Sequence, residues 1–520
     1  MSANLSTGLV RLSVALAVML PAGTSFALAK TPATPVSAIV AQASPTPKAT
    51  SNPFAFGGFV RAYDFTRQNA SNSAQGGSRG STNQQSFNLG VSLHGEYDFA
   101  NSPFSAGASY LYANPLGACS QASDHAKGLP CVSNRPPSTN PDDTLPGFAL
   151  STLYEAYLQY KAAGFYGKVG NQIINTPWAN ASDGRIKPAA FQGADFSYAL
   201  NRHFTIEAAD YIGWEDRTSS VFDQSTLLTS YPAGSPGIPA NTLAPGGRTI
   251  STSGFFYGRL GYTGARNLTA NAYYYGMQNI ANLLWFDARY PFSGGRLNPF
   301  VALQFGSENS TGSAVIGRIN STVFGLQGGV NVTPNVLVTL GYDGIPVKSD
   351  TIRLPTGYTC KGNIIAGAAT MTTGSLPYLL PFGGTGNCTA NGDGTTNIYY
   401  GGWASPYTDS YISDPLFTTS TTQGMVDRRS PGTGFKMQVT FTSSDKHFVG
   451  YVSRAWYNYG NPAFAQLTAE TDFDALYRLG KIEQGTYHGF LLHYRYGERT
   501  QTRAGLPLFK YNRFQVEYDF

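Results

Sequence analysis

Charge is scarce in this sequence. Only 12% of its 520 residues are Asp, Glu, Lys or Arg, about half the usual share. Soluble proteins of this length rarely manage with so few charges, whereas a membrane barrel can, because half of each strand faces lipid. Long apolar runs are lacking too. Beyond the N-terminal segment nothing approaches the roughly 20 apolar residues of a spanning helix. Mean hydropathy is slightly negative, which excludes a bundle of transmembrane helices, and no amphipathic helix longer than a turn or two is evident. The six histidines (His94, His125, His203, His447, His488 and His493) fall in no HExxH pattern, and no GxSxG occurs. We therefore expect no enzyme, no metal and no cofactor. A Ser/His/Asp set assembled from separate strands is the enzymatic alternative left open. The net charge of +5 is mild and dispersed, which argues against a nucleic-acid partner.

Cysteine is limited to four residues, in two local pairs: Cys119 with Cys131, and Cys360 with Cys388. Each pair brackets a Gly/Pro/Asn-rich stretch that reads as a long loop. The spacings are wrong for zinc and there is no CxxC, so two loop disulfides formed in an oxidising compartment are expected.

What the chain does have is alternation. From Arg513 to Phe520 the apolar residues Phe514, Val516, Tyr518 and Phe520 point one way, and Arg513, Gln515, Glu517 and Asp519 the other. A period of 2 is the signature of a strand with one apolar and one polar face. The chain stops on an aromatic, leaving a sheet edge that closure into a barrel would pair.

The same beat recurs upstream. Residues 1–29 read as a signal peptide: Arg11, the apolar run Leu12 to Leu20, then Ala27-Leu28-Ala29 as the cleavage site. Residues 30–53 are a Pro/Ala/Thr-rich flexible periplasmic lead-in. From residue 54 to 520 we find roughly 18 amphipathic stretches, each near the 9–11 residues a tilted strand needs to cross a bilayer. Short links such as Gly264 to Asn267 and Ser443 to Lys446 alternate with long ones, as periplasmic turns and extracellular loops do. The stretch Leu153 to Lys161 places Tyr154, Ala156, Leu158 and Tyr160 outward, with Glu155, Tyr157, Gln159 and Lys161 inward. Aromatics crowding the strand ends (Tyr97 and Phe99, Tyr110 and Tyr112, Tyr273 to Tyr275, Trp285 and Phe286, Tyr494 and Tyr496) suggest interface girdles. The fold expected is an all-β transmembrane antiparallel barrel of this many staves.

A barrel of that size encloses an aqueous channel. Its polar face would carry the basic residues Lys161, Lys168, Arg259, Arg289, Lys436, Arg478 and Arg513, spread around the wall, against Glu155, Glu207, Asp287, Asp472, Asp474 and Glu517. Charge lining a pore steers solutes by focused potential, and this set favours carboxylates or other small anions. One segment departs from the beat: Asn171 to Pro188, containing Ile173, Asn175, Trp178, Ser182, Asp183 and Arg185. Pro177 and Pro188 exclude a central strand, and Ser182-Asp183-Gly184 is turn chemistry. A loop this apolar suits the lumen, where burying Ile173, Ile174 and Trp178 against the wall would narrow the pore.

At these residues the chain resembles a known family. Glu155-Ala156-Tyr157-Leu158-Gln159-Tyr160, Gly170 to Pro177, and Ser182-Asp183-Gly184-Arg185 look like the OprD-type outer-membrane porins. So does a later stretch, Ser413 to Ser420 with Gly424-Met425, containing Asp414, Pro415 and Phe417. The resemblance implies an 18-stranded barrel, loops folded inward as a constriction, and a ladder of basic wall residues. It also implies passive, selective uptake of small solutes such as amino acids, aromatic acids, other carboxylates or small saccharides. The cysteine-bracketed loops and the long Gly/Thr-rich stretch from Pro346 to Gly434 depart from that pattern. The partners expected are outer-membrane lipid and lipopolysaccharide, small solutes, and the barrel-assembly machinery through the terminal Phe520. The oligomeric state expected is a monomer or weak trimer, in the outer membrane of a Gram-negative bacterium. An export channel for a polymer or solute is the rival reading of the same barrel.

Overall fold

The computed structural model describes residues 53–70, 82–116, 132–133, 149–182, 185–215, 217, 219–222, 224, 252–264, 267–292, 297–314, 316, 318–354, 358–361, 364–367, 388–408, 413–426, 431–460, 467–483, 486–500 and 508–520. The signal peptide, residues 30–52 of the lead-in, Asp183 and the Cys119/Cys131 pair lie outside the described residues.

Eighteen antiparallel strands close into a barrel. They are β1 (Phe54–Ala70), β2 (Thr82–Asp98), β3 (Phe104–Pro115), β4 (Leu150–Ala162), β5 (Phe165–Gln172) and β6 (Ala190–Ala199). There follow β7 (Phe204–Glu215), β8 (Phe255–Thr263), β9 (Thr269–Met277), β10 (Ala281–Pro291), β11 (Phe300–Ser310) and β12 (Asn320–Thr333). The last six are β13 (Val336–Ile345), β14 (Gly432–Thr442), β15 (Phe448–Tyr459), β16 (Leu467–Glu483), β17 (Thr486–Arg499) and β18 (Phe509–Asp519). A two-residue strand, Val132–Ser133, adds itself beside β2. Each stave pairs with its sequence neighbours, and β18 returns to β1 with Phe59 opposite Asp519 and Gln68 opposite Lys510. Gly58 and Phe520 complete the seam by exchanging backbone hydrogen bonds at 3.1 Å each way. Closure leaves no stave with an unpaired edge, the condition for placing backbone in hydrocarbon.

The outward face is apolar, with Leu158, Leu284, Leu303, Leu326, Val452 and Phe514 all half exposed. That would be costly in water and is expected against lipid. Among the described residues no helix is long and apolar enough to cross a membrane.

Two of the alternation assignments need correction. Tyr154 points inward, buried with its hydroxyl 2.8 Å from Ser92 Oγ. The register shifts there: Ser109 faces Glu155 while Tyr110 faces Leu153, so Tyr154 is the extra residue of a bulge and its direction flips. Tyr273, Tyr275 and Trp285 also point inward and are buried, whereas their neighbours Tyr274 and Phe286 take the outward girdle positions. The barrel interior beside them is not water but folded-in chain, so aromatic side chains pack there.

Candidate functional site

Two connections at the long-link end turn into the lumen. The first joins β5 to β6 and carries a miniature hairpin, Asn175–Thr176 against Ala179–Asn180. Trp178 at its tip is fully buried, as is Ile174, while Asn175 stays exposed. Side chains hold this loop to the wall. Lys187 Nζ lies 2.8 Å from Glu215 Oε1, both shut off from solvent, and Thr152 donates its hydroxyl to the same carboxylate at 2.8 Å. Arg61 on β1 donates to the carbonyl of Arg185 at 2.9 Å, and Glu155 accepts the Ile173 N–H at 3.4 Å. Ile186 sits over Gly90, where a Cβ would come within 2.9 Å of its Cγ1.

The second connection runs from β13 to β14. Its outer part is a small sheet of Lys348–Ile352, Thr396–Tyr400 and Cys388–Ala390. Cys360 and Cys388 form a disulfide there, as expected for this pair. Its inner part, 401–408 and 413–426, is largely buried. Here the wall reaches for the loop's backbone. Glu308 accepts the Ala404 N–H at 2.9 Å, Asp343 that of Thr418 at 2.7 Å, and Glu470 that of Thr422 at 2.7 Å. Gln304, Lys436, Tyr457 and Arg499 donate to the carbonyls of Pro415, Thr419, Thr418 and Thr422. Wall glycines make the sockets: a Cβ at Gly325 or Gly341 would crowd Phe417, and one at Gly306 would lie 2.5 Å from Trp403. Asp414 folds the loop on itself, accepting from Leu416 N at 3.0 Å and from the Thr419 hydroxyl at 2.6 Å.

The two loops meet. Ala179 bridges Tyr407, and Asn180 donates to the carbonyls of Tyr407 at 3.2 Å and Ser413 at 2.9 Å. The hydroxyls of Ser182 and Ser413 are 3.0 Å apart. Trp178 packs between Trp285 and Trp403, with ring centroids at 5.2 and 5.1 Å. Tyr407 stacks on Phe255 at 4.4 Å, and its burial pushes the phenol above its usual range, leaving a neutral hydroxyl beside that of Thr252 at 3.3 Å. Between them the loops touch inward residues of most of the staves, from Arg61 on β1 and Glu155 on β4 through Glu215, Phe255, Trp285 and Glu308 to Asp343, Lys436, Tyr457, Glu470 and Arg499.

The wall formed by β17, β18 and β1 is rich in arginine. Arg61 and Arg67 on β1, Arg495 and Arg499 on β17, and Arg513 on β18 face inward, with Arg185 of the first loop beside them. They are threaded into one network. Arg61 pairs with Glu517, which accepts from Gln515 at 3.0 Å. Arg513 donates to Gln515 Oε1 at 3.2 Å and to His493 Nδ1 at 3.1 Å. Because Arg513 can only donate, Nδ1 must accept, so the proton sits on Nε2 and is given to Asp474 at 2.9 Å. Arg495 closes the line on the other oxygen of Asp474 at 2.5 Å. Arg67 and Arg185 lie over the Phe65 ring at 4.9 and 5.5 Å, and Arg513 over Tyr63 at 5.5 Å. Inward carboxylates of the neighbouring staves, Glu470, Asp472 and Asp474 on β16 and Glu517 on β18, are interleaved with these guanidiniums.

The seven basic residues singled out from the sequence all sit on inward strand positions, but they do not form one ladder. Lys168 is buried against Glu155 at 3.6 Å and over Tyr157 at 3.7 Å. Arg259 pairs with Glu207 at 3.1 Å and with Asn271, and Arg289 covers Phe300 at 3.5 Å. Lys161 is exposed beside the link between β4 and β5, and Arg478 faces inward on the short-link half of β16. Lys436 serves as a strut for the second loop. Only Arg513 belongs to the arginine line. Arg61, Arg67 and Arg495 were missed, although the alternation of Arg495 and Arg499 with Tyr494 and Tyr496 offered a signal.

No protein-family model matches the sequence, and no curated protein does. The solved structures the barrel resembles are OprD/Occ-type porins. Pseudomonas aeruginosa OpdK with vanillate is matched at a TM-score of 0.58 and 12% identity, over 90% of this chain and 98% of that one. Acinetobacter baumannii OccAB4 gives 0.61 at 12% identity, over 90% and 98%. Pseudomonas aeruginosa OccK2 (OpdF) in complex with glucuronate gives 0.57 at 11%, over 89% and 98%. At these identities the likeness is one of fold.

Proposed function

We propose that the chain is a substrate-selective outer-membrane porin that lets small hydrophilic solutes, carboxylates or amino acids, diffuse inward without energy input. The observation that carries this reading is an 18-stranded barrel with two loops folded into its lumen and inward arginines along β17, β18 and β1. Two loops, tied to the barrel and to each other, restrict size. Guanidiniums in a confined, low-dielectric lumen lower the energy of a carboxylate along the whole path rather than at one deep well, and weak successive sites are what conduction requires. Vanillate and glucuronate, named with two of the similar structures, are both carboxylates. On this reading the signal peptide delivers the chain to the periplasm, and assembly proceeds through the terminal Phe520 signal. The mature channel acts as a monomer or weak trimer.

Planar-bilayer recording tests it. Small single-channel steps with anion-selective reversal potentials, reduced by a small carboxylate, are the expected result. A reconstituted barrel with no conductance at any voltage refutes the reading. Liposome swelling across a panel of carboxylates, amino acids and saccharides then identifies the solute class.

A further inference from the structure

The outer face of the barrel is not uniformly apolar. On β2 to β14 the outward side chains that the structure describes include one charge, Asp210; on the five staves β15 to β18 and β1 they include Arg454, Glu498, Lys510 and Asp64. Three of these four fall on one line. Arg454 is opposite Thr471, Thr471 opposite Glu498, Glu498 opposite Lys510, and Lys510 opposite Gln68. In-register partners share a face, so these five side chains run as a polar stripe across the lipid-facing wall, on its long-link half.

The stripe is partly satisfied from within. Lys510 lies 3.6 Å from Glu498, with side chains 42% and 32% exposed, and Tyr496 donates to Glu498 at 2.8 Å. Arg454 gives one N–H to the Thr471 hydroxyl and sits 5.9 Å over the Trp456 ring. Among the described residues no carboxylate is paired with it. A guanidinium facing lipid costs up to about 2–4 kcal/mol, least near the interface. An anion supplied by the membrane itself would remove that cost.

We propose that this stripe binds the headgroup of a glycolipid bearing two phosphates. Arg454 and Lys510 stand three stave spacings apart, about 14 Å at ~4.8 Å per spacing, too far for one phosphate to bridge. Between them lie Thr471 and Glu498, a hydroxyl and a carboxylate suited to sugar hydroxyls. Arginine takes phosphate in a bidentate grip and lysine as a point charge. Toward the short-link end the same staves expose Val452, Phe473, Phe514 and Phe490, an apolar wall on which acyl chains would lie. A headgroup with phosphates at both ends of a disaccharide matches this spacing and polarity.

The inference rests on the membrane-barrel reading but not on what the pore conducts. The full chain is reconstituted in phosphatidylcholine nanodiscs with an acylated glucosamine disaccharide carrying two phosphates, and retained lipid is counted by native mass spectrometry. One molecule per barrel is expected, with roughly tenfold weaker retention by R454Q and K510Q, each worth one charge-assisted contact. Conductance of both variants should be unchanged, which shows that they fold and separates this outcome from failure of the porin reading. Equal retention by variant and parent overturns the proposal. So does equal binding of the monophosphorylated lipid or of an anionic glycerophospholipid, since either would mean that the spacing of Arg454 and Lys510 is not read. Efficient disulfide trapping between copies carrying V452C would assign the stripe to a second copy instead.

Discussion

The two inward loops do the same job with a different balance of contacts. The first, residues 173–189, is held mostly by its own side chains, Lys187 on Glu215, Trp178 between Trp285 and Trp403, and Ile186 over Gly90, with fewer backbone contacts, to Arg61 and Glu155. The second, residues 401–426, packs Trp403, Tyr407 and Phe417 on the wall but is held above all through its backbone. Its amides are taken by Glu308, Asp343 and Glu470, and its carbonyls by Gln304, Lys436, Tyr457 and Arg499. In the first case the loop's composition carries the instruction to fold inward. In the second the barrel wall carries more of it, through acceptors and donors aimed at the loop's amides and carbonyls.

Substitutions in each set of anchors would test that contrast. The largest effect is expected at Lys187→Met. The Glu215 carboxylate is left buried without its ammonium, and breaking one half of a buried pair costs about 3–5 kcal/mol. The first loop should then leave the wall, raising conductance and lowering anion selectivity in planar bilayers; an unaltered channel would mean that the loop does not depend on this pair. Gly306→Val comes next. Its Cβ would stand 2.5 Å from Trp403 and 2.9 Å from Trp285, an overpacking of about 1–3 kcal/mol. The second loop should become susceptible to proteolysis within 401–426 while the barrel keeps its heat resistance. If Gly306→Val left that loop as protected as before, the glycine would not be its socket.

Asp343→Ala removes one acceptor and strands the buried Thr418 N–H, at about 1–3 kcal/mol. Because Glu308 and Glu470 still hold the loop on either side, channel noise should rise with little change in mean conductance. Full release of the loop by this single change would contradict shared anchoring.

The contrast also explains what could be read from the sequence. The closing strand Arg513 to Phe520 alternates because one face meets lipid and the other a polar lumen, and that rule located every stave. It fails where the lumen is filled. β1 turns Tyr63 and Phe65 inward beside Arg61 and Arg67 because Ile186 and Arg185 pack on them, so polarity no longer marks the face and both arginines were passed over. Tyr273, Tyr275 and Trp285 were sent outward for the same reason, since their partners Trp178 and Trp403 come from loops distant in sequence. Tyr154 shows a second limit: one bulged residue reverses parity, and no composition rule announces it. The first loop was legible because Ile173, Ile174 and Trp178 are apolar. The glycines at 306, 325 and 341 are ordinary in a strand until the residue they admit is known.

The smallest effect on the pore is expected from the disulfide, for a reason that sets it apart from both loops. Cys360 and Cys388 are 28 residues apart and tie the hairpin Tyr358–Lys361/Ile364–Gly367 to the strand Cys388–Ala390, all in the outer part of the second connection. The inner part begins at Gly401, where the Ser321 hydroxyl grips the carbonyl at 2.6 Å. Among the described residues the wall contacts from there to Val426 are made by residues other than the cystine. Replacing both cysteines by serine should cost the outer sheet about 2–4 kcal/mol of local stability, read as faster proteolysis between residues 346 and 400. Reversal potential and single-channel conductance should stay as in the parent. If they shifted, the outer sheet would be transmitting strain through Gly401, and the second loop would owe its position to the cystine as well as to the wall.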